Sequence, residues 1–275
     1  MNLPIGKGVE LLLDVLLNNF GPFFEIVSNL VEQFMTGFTN LLLVAPPLVV
    51  ILALTGLALL IADKKVAFFS FIGLFVVFGM GLWVATIRTF VLVFVAAVIA
   101  LALGIPTGIL INKSQLLNRI ITPILDFMQT MPPFVYLIPA TMFFGIGNVP
   151  GVMATVIFAM PPAIRLTDLG LKQVPDELEE VGFAFGSTPW QMLFKVRLPL
   201  ALPSIMAGIN QCIMLSLSMV VIASMIGAKG LGAEVLNGIQ RMQIGVGFEA
   251  GLGVVILAII LDRITKGLNQ VNAEQ

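Results

Sequence analysis

LKQVPDELEEVGFAFGSTPWQMLFKVRLPLALPSI, residues 171–205, is a long, charged, turn-punctuated stretch set between apolar runs, unlike an ordinary membrane connector. Pro175-Asp176 reads as a helix start. Glu177, Glu179 and Glu180 follow in the first turns, where the helix dipole favours carboxylates. Gly186 stands where that helix should stop. Thr188-Pro189-Trp190-Gln191 then offers a second N-cap, with Pro at the first helical position and Gln at the capping-box position. Leu198-Pro199 closes the unit before the next apolar run. The expected product is a compact knob, two short helices around a glycine elbow. Such a knob is either a solvated connector or a docking surface. Val181, Phe183, Phe185, Trp190 and Leu193 are too apolar for a loop that only faces water, and large apolar groups rimmed by charge suit docking.

Working outward, the flanking sequence reads as membrane. A span needs about 20 mostly apolar residues, and such runs occur at 41–62, 66–83, 89–111, 131–146, 151–164, 203–226 and 246–260. They predict an all-α polytopic membrane protein of about seven spans. Nothing alternates like a barrel strand. Composition agrees: 59% of the 275 residues are hydrophobic and 11% charged, whereas a soluble domain carries roughly 25% charged residues. Before residue 41, Leu11, Leu12, Val15, Leu16 and Phe20 recur at near-helical spacing, with Asp14, Asn18 and Asn19 elsewhere. Residues 1–40 are therefore expected to form an amphipathic segment on the outer membrane face, interrupted at Gly21-Pro22. Met1 to Phe20 lacks the basic start and cleavage site of a secretory signal. Residues 41–275 form the transmembrane part, with the knob at 171–202.

Basic residues orient the bundle. With the knob in the cytoplasm, the inner side receives Lys64, Lys65, Lys113, Arg119, Arg165, Lys172, Lys195, Arg197, Arg263 and Lys266. The outer side receives Lys7, Arg88, Lys229 and Arg241. This asymmetry is what the positive-inside rule asks, and it places the N-terminus outside and the C-terminus inside. A net charge of −1 argues against nucleic-acid binding. With no His and a single Cys, Cys212, an intrachain disulfide framework and a His/Cys metal cluster are excluded.

The knob resembles the EAA loop of ABC importer permeases, whose pattern is Glu-Ala-Ala, three residues, Gly, nine residues, Ile-x-Leu-Pro. Here Glu180-Val181-Gly182 is followed after three residues by Gly186, and after nine more by Val196-Arg197-Leu198-Pro199. Every spacing matches; Val181, Gly182 and Val196 replace the family residues with small or apolar ones. The likeness extends from about Asn40 to the C-terminus. PILDFMQTMPPFVYLIPA (123–140), VIFAMPPAIRLTDLGLKQVP (156–175), AGINQCIMLSLSMVVIASMIGAKGLG (207–232) and GVGFEAG (245–251) are similar to the glycine betaine/proline betaine branch.

The resemblance implies a type I ABC importer permease fold in a bacterial or archaeal cell membrane. It implies a separate cytoplasmic ATPase that holds ATP and Mg2+, with no cofactor in this chain. A second copy of the permease and an extracytoplasmic substrate-binding protein are implied as well, the latter as a separate chain because the sequence ends at Gln275. No Gly-x4-Gly-Lys-Ser/Thr phosphate loop is present. On this resemblance Glu180, Gly182, Phe183, Phe185, Gly186, Trp190, Leu198 and Pro199 are the expected ATPase-coupling residues.

The substrate path is read from the residues alone. Asn210, Met214 and Ser218 share a face of the sixth run, which either lines the path or packs helices together. Phe134 and Tyr136 offer ring faces to a quaternary ammonium or serve packing. Asp126 is a candidate counter-ion, Arg165 and Asp168 a candidate pair, and Gly227, Gly230 and Gly232 a turn facing the binding protein. The alternative function is an ion-gradient-driven carrier, which would need intramembrane acids or interrupted helices; Asp126 and Pro161-Pro162 are its only hints. A receptor would bring a soluble output domain, and an enzyme would bring a convergent catalytic set.

Overall fold

Proline sets the first boundary. In the computed structural model, which describes residues 5–273, helix α1 (Ile5–Val44) runs through Gly21 and Pro22 and stops only at Ala45-Pro46. Pro22 withholds one donor from the ladder, and the helix continues past it. The expected interruption and the expected boundary at residue 40 both fall inside α1. At Pro46 two constraints coincide. The residue before a proline avoids the α region, and Pro47 suits the first position of a new helix. The apolar run at 41–62 is thereby divided between α1 and α2 (Pro47–Ile61). Helix α3 (Lys64–Gly79) packs on α2; at 15 and 16 residues the two reach about 24 Å at the helical rise, short of the ~30 Å hydrocarbon core.

The remaining elements are α4 (Trp83–Lys113), α5 (Gln115–Thr130), a 3-10 turn (Pro133–Tyr136) leading into α6 (Leu137–Phe144), α7 (Asn148–Lys172), α8 (Asp176–Ala184) and α9 (Pro189–Met192). A π-turn (Leu193–Arg197), α10 (Leu198–Ser224), α11 (Leu231–Gln240) and α12 (Ile244–Ala273) complete the chain. Among the described residues, five stretches are long and apolar enough to cross a membrane: Gly6–Val44, Trp83–Lys113, Asn148–Lys172, Pro189–Ser224 and Ile244–Leu268. Four of the expected spans sit on these long helices. Those at 41–62, 66–83 and 131–146 fall on divided or shorter ones, because proline punctuates the first and third and the Gly79–Gly81 turn ends the second.

The centre of the bundle is α7, packed between α4 and α10 by small residues. A Cβ on Gly108 would lie 2.7 Å from the Ile164 carbonyl, and one on Gly170 would lie 2.8 Å from Ser204 Cβ. Gly104 and Gly208 approach Ala163 in the same way. Without a hydrophobic drive between helices in lipid, such close backbone contact is what holds them. Helix α7 stays continuous through the buried Pro161-Pro162, so that pair does not make the broken helix of a gradient-driven carrier. The second half of α1 lies on this core: Phe24 stacks on Phe143 at 4.5 Å and Phe38 packs on Phe94 at 5.5 Å. Its outer face, with Phe23, Ile26, Leu30 and Phe34, remains exposed.

Candidate functional site

The knob is built from local capping signals. Helix α8 ends in a Schellman motif: Gly186 adopts φ +77°, its N–H donates to the Phe183 carbonyl at 2.9 Å, and the Ser187 N–H donates to the Gly182 carbonyl at 3.1 Å. Helix α9 opens on a complete capping box. The Gln191 N–H donates to Thr188 Oγ1 at 3.3 Å, and the Thr188 N–H donates to Gln191 Oε1 at 2.8 Å. Between them Gly182 makes room for Met192, whose Cε would lie 2.2 Å from a Cβ there. Met192 is buried and seats the two helices together.

The second helix does not close at Leu198-Pro199, as the sequence suggests; it runs on into α10 through the π-turn. The cause is Pro199, which cannot donate to the carbonyl of Lys195. The local ladder widens, and the Leu198 N–H donates five residues back to Leu193. The second half of the knob is thus the start of the 36-residue stretch Pro189–Ser224, continuous with a membrane helix, while α8 stands before the Gly186 elbow.

The exposed surface largely follows expectation. Phe185 is 88% exposed, Trp190 66% and Phe183 50%, with Val181 beside them. Leu193 is the exception: it is buried against Leu171, Ala201 and Ile205. Phe194, which the sequence did not single out, is exposed instead and stacks on Trp190 at 5.6 Å, with Lys113 Nζ 4.9 Å from the indole centroid. Glu180 is exposed, and among the described residues it has no ion-pair partner. Its neighbour Glu179 makes the internal contact, to Arg197 Nε at 2.9 Å. Arg197 Nη2 also donates to Asn112 Oδ1 at 2.6 Å and to the Leu171 carbonyl at 3.3 Å. These partners lie too far apart in sequence for any spacing rule to reveal them.

The expected substrate-path residues are not brought together. Met214 and Ser218 share a face of α10 that the single chain leaves exposed. Asn210 turns instead toward α12 and lies beside Asp262, its Oδ1 buried; a four-residue step drifts about 40° around a helix, so the three do not point alike. Phe134 is exposed. Tyr136 is 5% exposed, donates its hydroxyl to the Met128 carbonyl, and packs on Phe158 at 6.3 Å, so its ring is occupied by packing. Tyr136→Phe strands that carbonyl at a cost of about 1 kcal/mol; the melting temperature should fall while the apparent affinity for solute stays at the wild-type value. Asp126 pairs with Arg165, which corrects both its reading as a counter-ion and the expected Arg165–Asp168 pair. Asp168 pairs with Lys172 at 2.6 Å.

At the opposite end, a polar cleft of about 210 Å³ is lined by Glu32, Thr36, Asn40, Arg88, Asn148 and Lys229, among others. The Gly227–Gly232 turn forms one wall. Gly230 sits against Thr89, whose Oγ1 accepts from the Leu231 N–H at 2.8 Å, so it pins the turn onto α4, while Gly227 lies against Ile146 and Gly232 against Val220 of α10.

Residues 100–271 match the family model described as binding-protein-dependent transport system inner membrane component. The chain is 47% identical over 266 residues to the glycine betaine transport system permease protein OpuAB of Bacillus subtilis, covering 97% of this chain and 94% of that one. It is 46% identical over 268 residues to the glycine betaine/proline betaine transport system permease protein ProW of Escherichia coli, covering 98% of this chain and 76% of that protein. Among solved structures, a chain of the inward-facing MetNI methionine ABC transporter aligns with a TM-score of 0.60 and 23% identity, over 67% of this chain and 93% of that one.

Proposed function

Because this chain belongs to the binding-protein-dependent transport system inner membrane component family, we propose that it is the permease of an ATP-driven importer for glycine betaine and related quaternary ammonium osmoprotectants. Its relatives are transport permeases, multi-pass membrane subunits that work with an ATPase and a binding protein. The observation that carries the coupling role is the exposed apolar crown of the knob on a scaffold that runs without a break into α10. Phe183, Phe185 and Trp190 enter a groove on the cytoplasmic ATPase. Glu180, Gly182, Gly186, Leu198 and Pro199 shape the unit that presents them.

ATP and Mg2+ act on that ATPase, whose closure tilts two copies of the permease between outward and inward openings. The exposed α10 face bearing Met214 and Ser218, with Phe134, lines the path between the copies. The knob lies in the cytoplasm and the N-terminus outside, as the basic residues direct. Relatives named for glycine betaine and proline betaine transport support the solute class, and α1 scaffolds the outer surface.

The deciding experiment is ATP hydrolysis by liposomes holding this subunit with its ATPase, with and without binding protein and glycine betaine. Stimulation by the loaded binding protein is the expected result. If no ATPase associates with the permease, the reading fails and a gradient-driven carrier takes its place.

A further inference from the structure

Helix α8 has no buried residue, yet it carries Phe183 and leads directly into Phe185, two of the rings that would meet the ATPase. A helix held by so little packing can transmit force only through its tethers. One is the Schellman turn into α9. The other is the Glu179–Arg197 pair, both side chains about three-quarters covered. From Arg197 the contacts continue to the Asn112 amide oxygen at the end of α4 and to the Leu171 carbonyl at the end of α7. The Asn112 amide nitrogen donates onward to Asp168 Oδ1 at 3.3 Å, and Asp168 holds Lys172. One turn above Asn112, Gly108 lies against the Ile164 carbonyl and Thr167, so the ends of α4 and α7 are already one packed block.

We propose that Arg197 is a positioning residue that locks the knob to this block, so that motion imposed on α8 moves the ends of α4 and α7 together. This rests on the importer reading of the knob. A planar guanidinium suits the role, since one terminal nitrogen donates to both the Asn112 and Leu171 oxygens while Nε faces the Glu179 carboxylate at 2.9 Å as an ion pair without a hydrogen bond; a lysine ammonium offers no such fork.

The test uses the full transporter in liposomes, comparing wild type with Arg197→Lys, Glu179→Gln and the exchange Glu179→Arg/Arg197→Glu. The ATPase should stay bound and hydrolysis continue, while solute imported per ATP falls by about five- to tenfold, the scale of a lost coupling between sites. The exchange should not recover that loss, because a carboxylate at 197 restores the ion pair but cannot donate to the Asn112 and Leu171 oxygens. If uptake and hydrolysis fall in equal proportion, or the ratio holds at the wild-type value, Arg197 is only a structural pin and the proposal is overturned.

A second measurement does not depend on transport. Spin labels at Ala184 and Leu116, both exposed, in a Cys212→Ser background should give a narrow distance distribution that broadens in Arg197→Lys. An unchanged distribution overturns the proposal even if the importer reading stands. Wild type that imports nothing defeats the importer reading alone, because the labels still report whether Arg197 holds the knob.

Discussion

Replacing Phe183 and Phe185 together by Ser is expected to leave a permease that folds and inserts but no longer retains its ATPase. Phe185 is 88% exposed and Phe183 50%, so neither ring supports the fold to any large degree. Fully burying a phenyl side chain at an interface is worth about 1.5–3 kcal/mol. With Phe183 already half covered, losing both rings costs roughly 2–4.5 kcal/mol, or about two to three orders of magnitude in affinity. The measurement is the amount of ATPase recovered with affinity-purified permease, alongside the melting temperature of the permease alone. Wild-type recovery of ATPase from the double variant would remove the docking assignment.

Gly186→Pro is expected to abolish uptake by a different route, through the backbone. A proline fixes φ near −65°, where Gly186 adopts +77°. It also deletes the N–H that donates to the Phe183 carbonyl. A Cβ at this position meets nothing within 4 Å, so the penalty for Gly186→Ala is conformational alone, about 1–2 kcal/mol. Because α8 buries no residue, only the contact of Met192 with Gly182 still joins the two helices once the Schellman bonds are lost. Uptake of labelled glycine betaine into liposomes should therefore fall more than about tenfold in Gly186→Pro, beyond the effect of the alanine change alone. Full activity in Gly186→Pro would show that the elbow is not needed for coupling.

The knob was legible because its signals are local. Gly186 as a helix stop and Thr188 with Gln191 as a capping box act within a few residues of chain, and both are present as expected. The spans were legible where the apolar run is long and its helix stays whole, as in α4 despite Pro106 and in α10 despite Pro203. They were misread where two prolines cut a run that hydropathy sees as continuous, at Pro46-Pro47, and where Pro22 failed to break a helix that the rest of its ladder sustains. The resemblance to importer permeases was carried by the pattern across residues 180–199, and the family match over residues 100–271 bears it out.

Partnership between distant side chains was a different matter. Glu179 and Glu180 are adjacent carboxylates in one helical turn, and nothing in their sequence says which will be tied down; the fold places Arg197 beside the first and leaves the second exposed. Arg165 had a near partner at Asp168 by spacing, but α5 brings Asp126 closer. Leu193 and Phe194 are neighbours of similar character, and only the packing of α7 against α10 buries one and exposes the other. By itself the sequence determined the membrane class, the caps and the elbow of the knob, because hydropathy and backbone hydrogen bonding act over short lengths of chain. The tertiary structure alone decided which charges pair and which rings stay exposed, because those choices depend on helices meeting from distant parts of the chain.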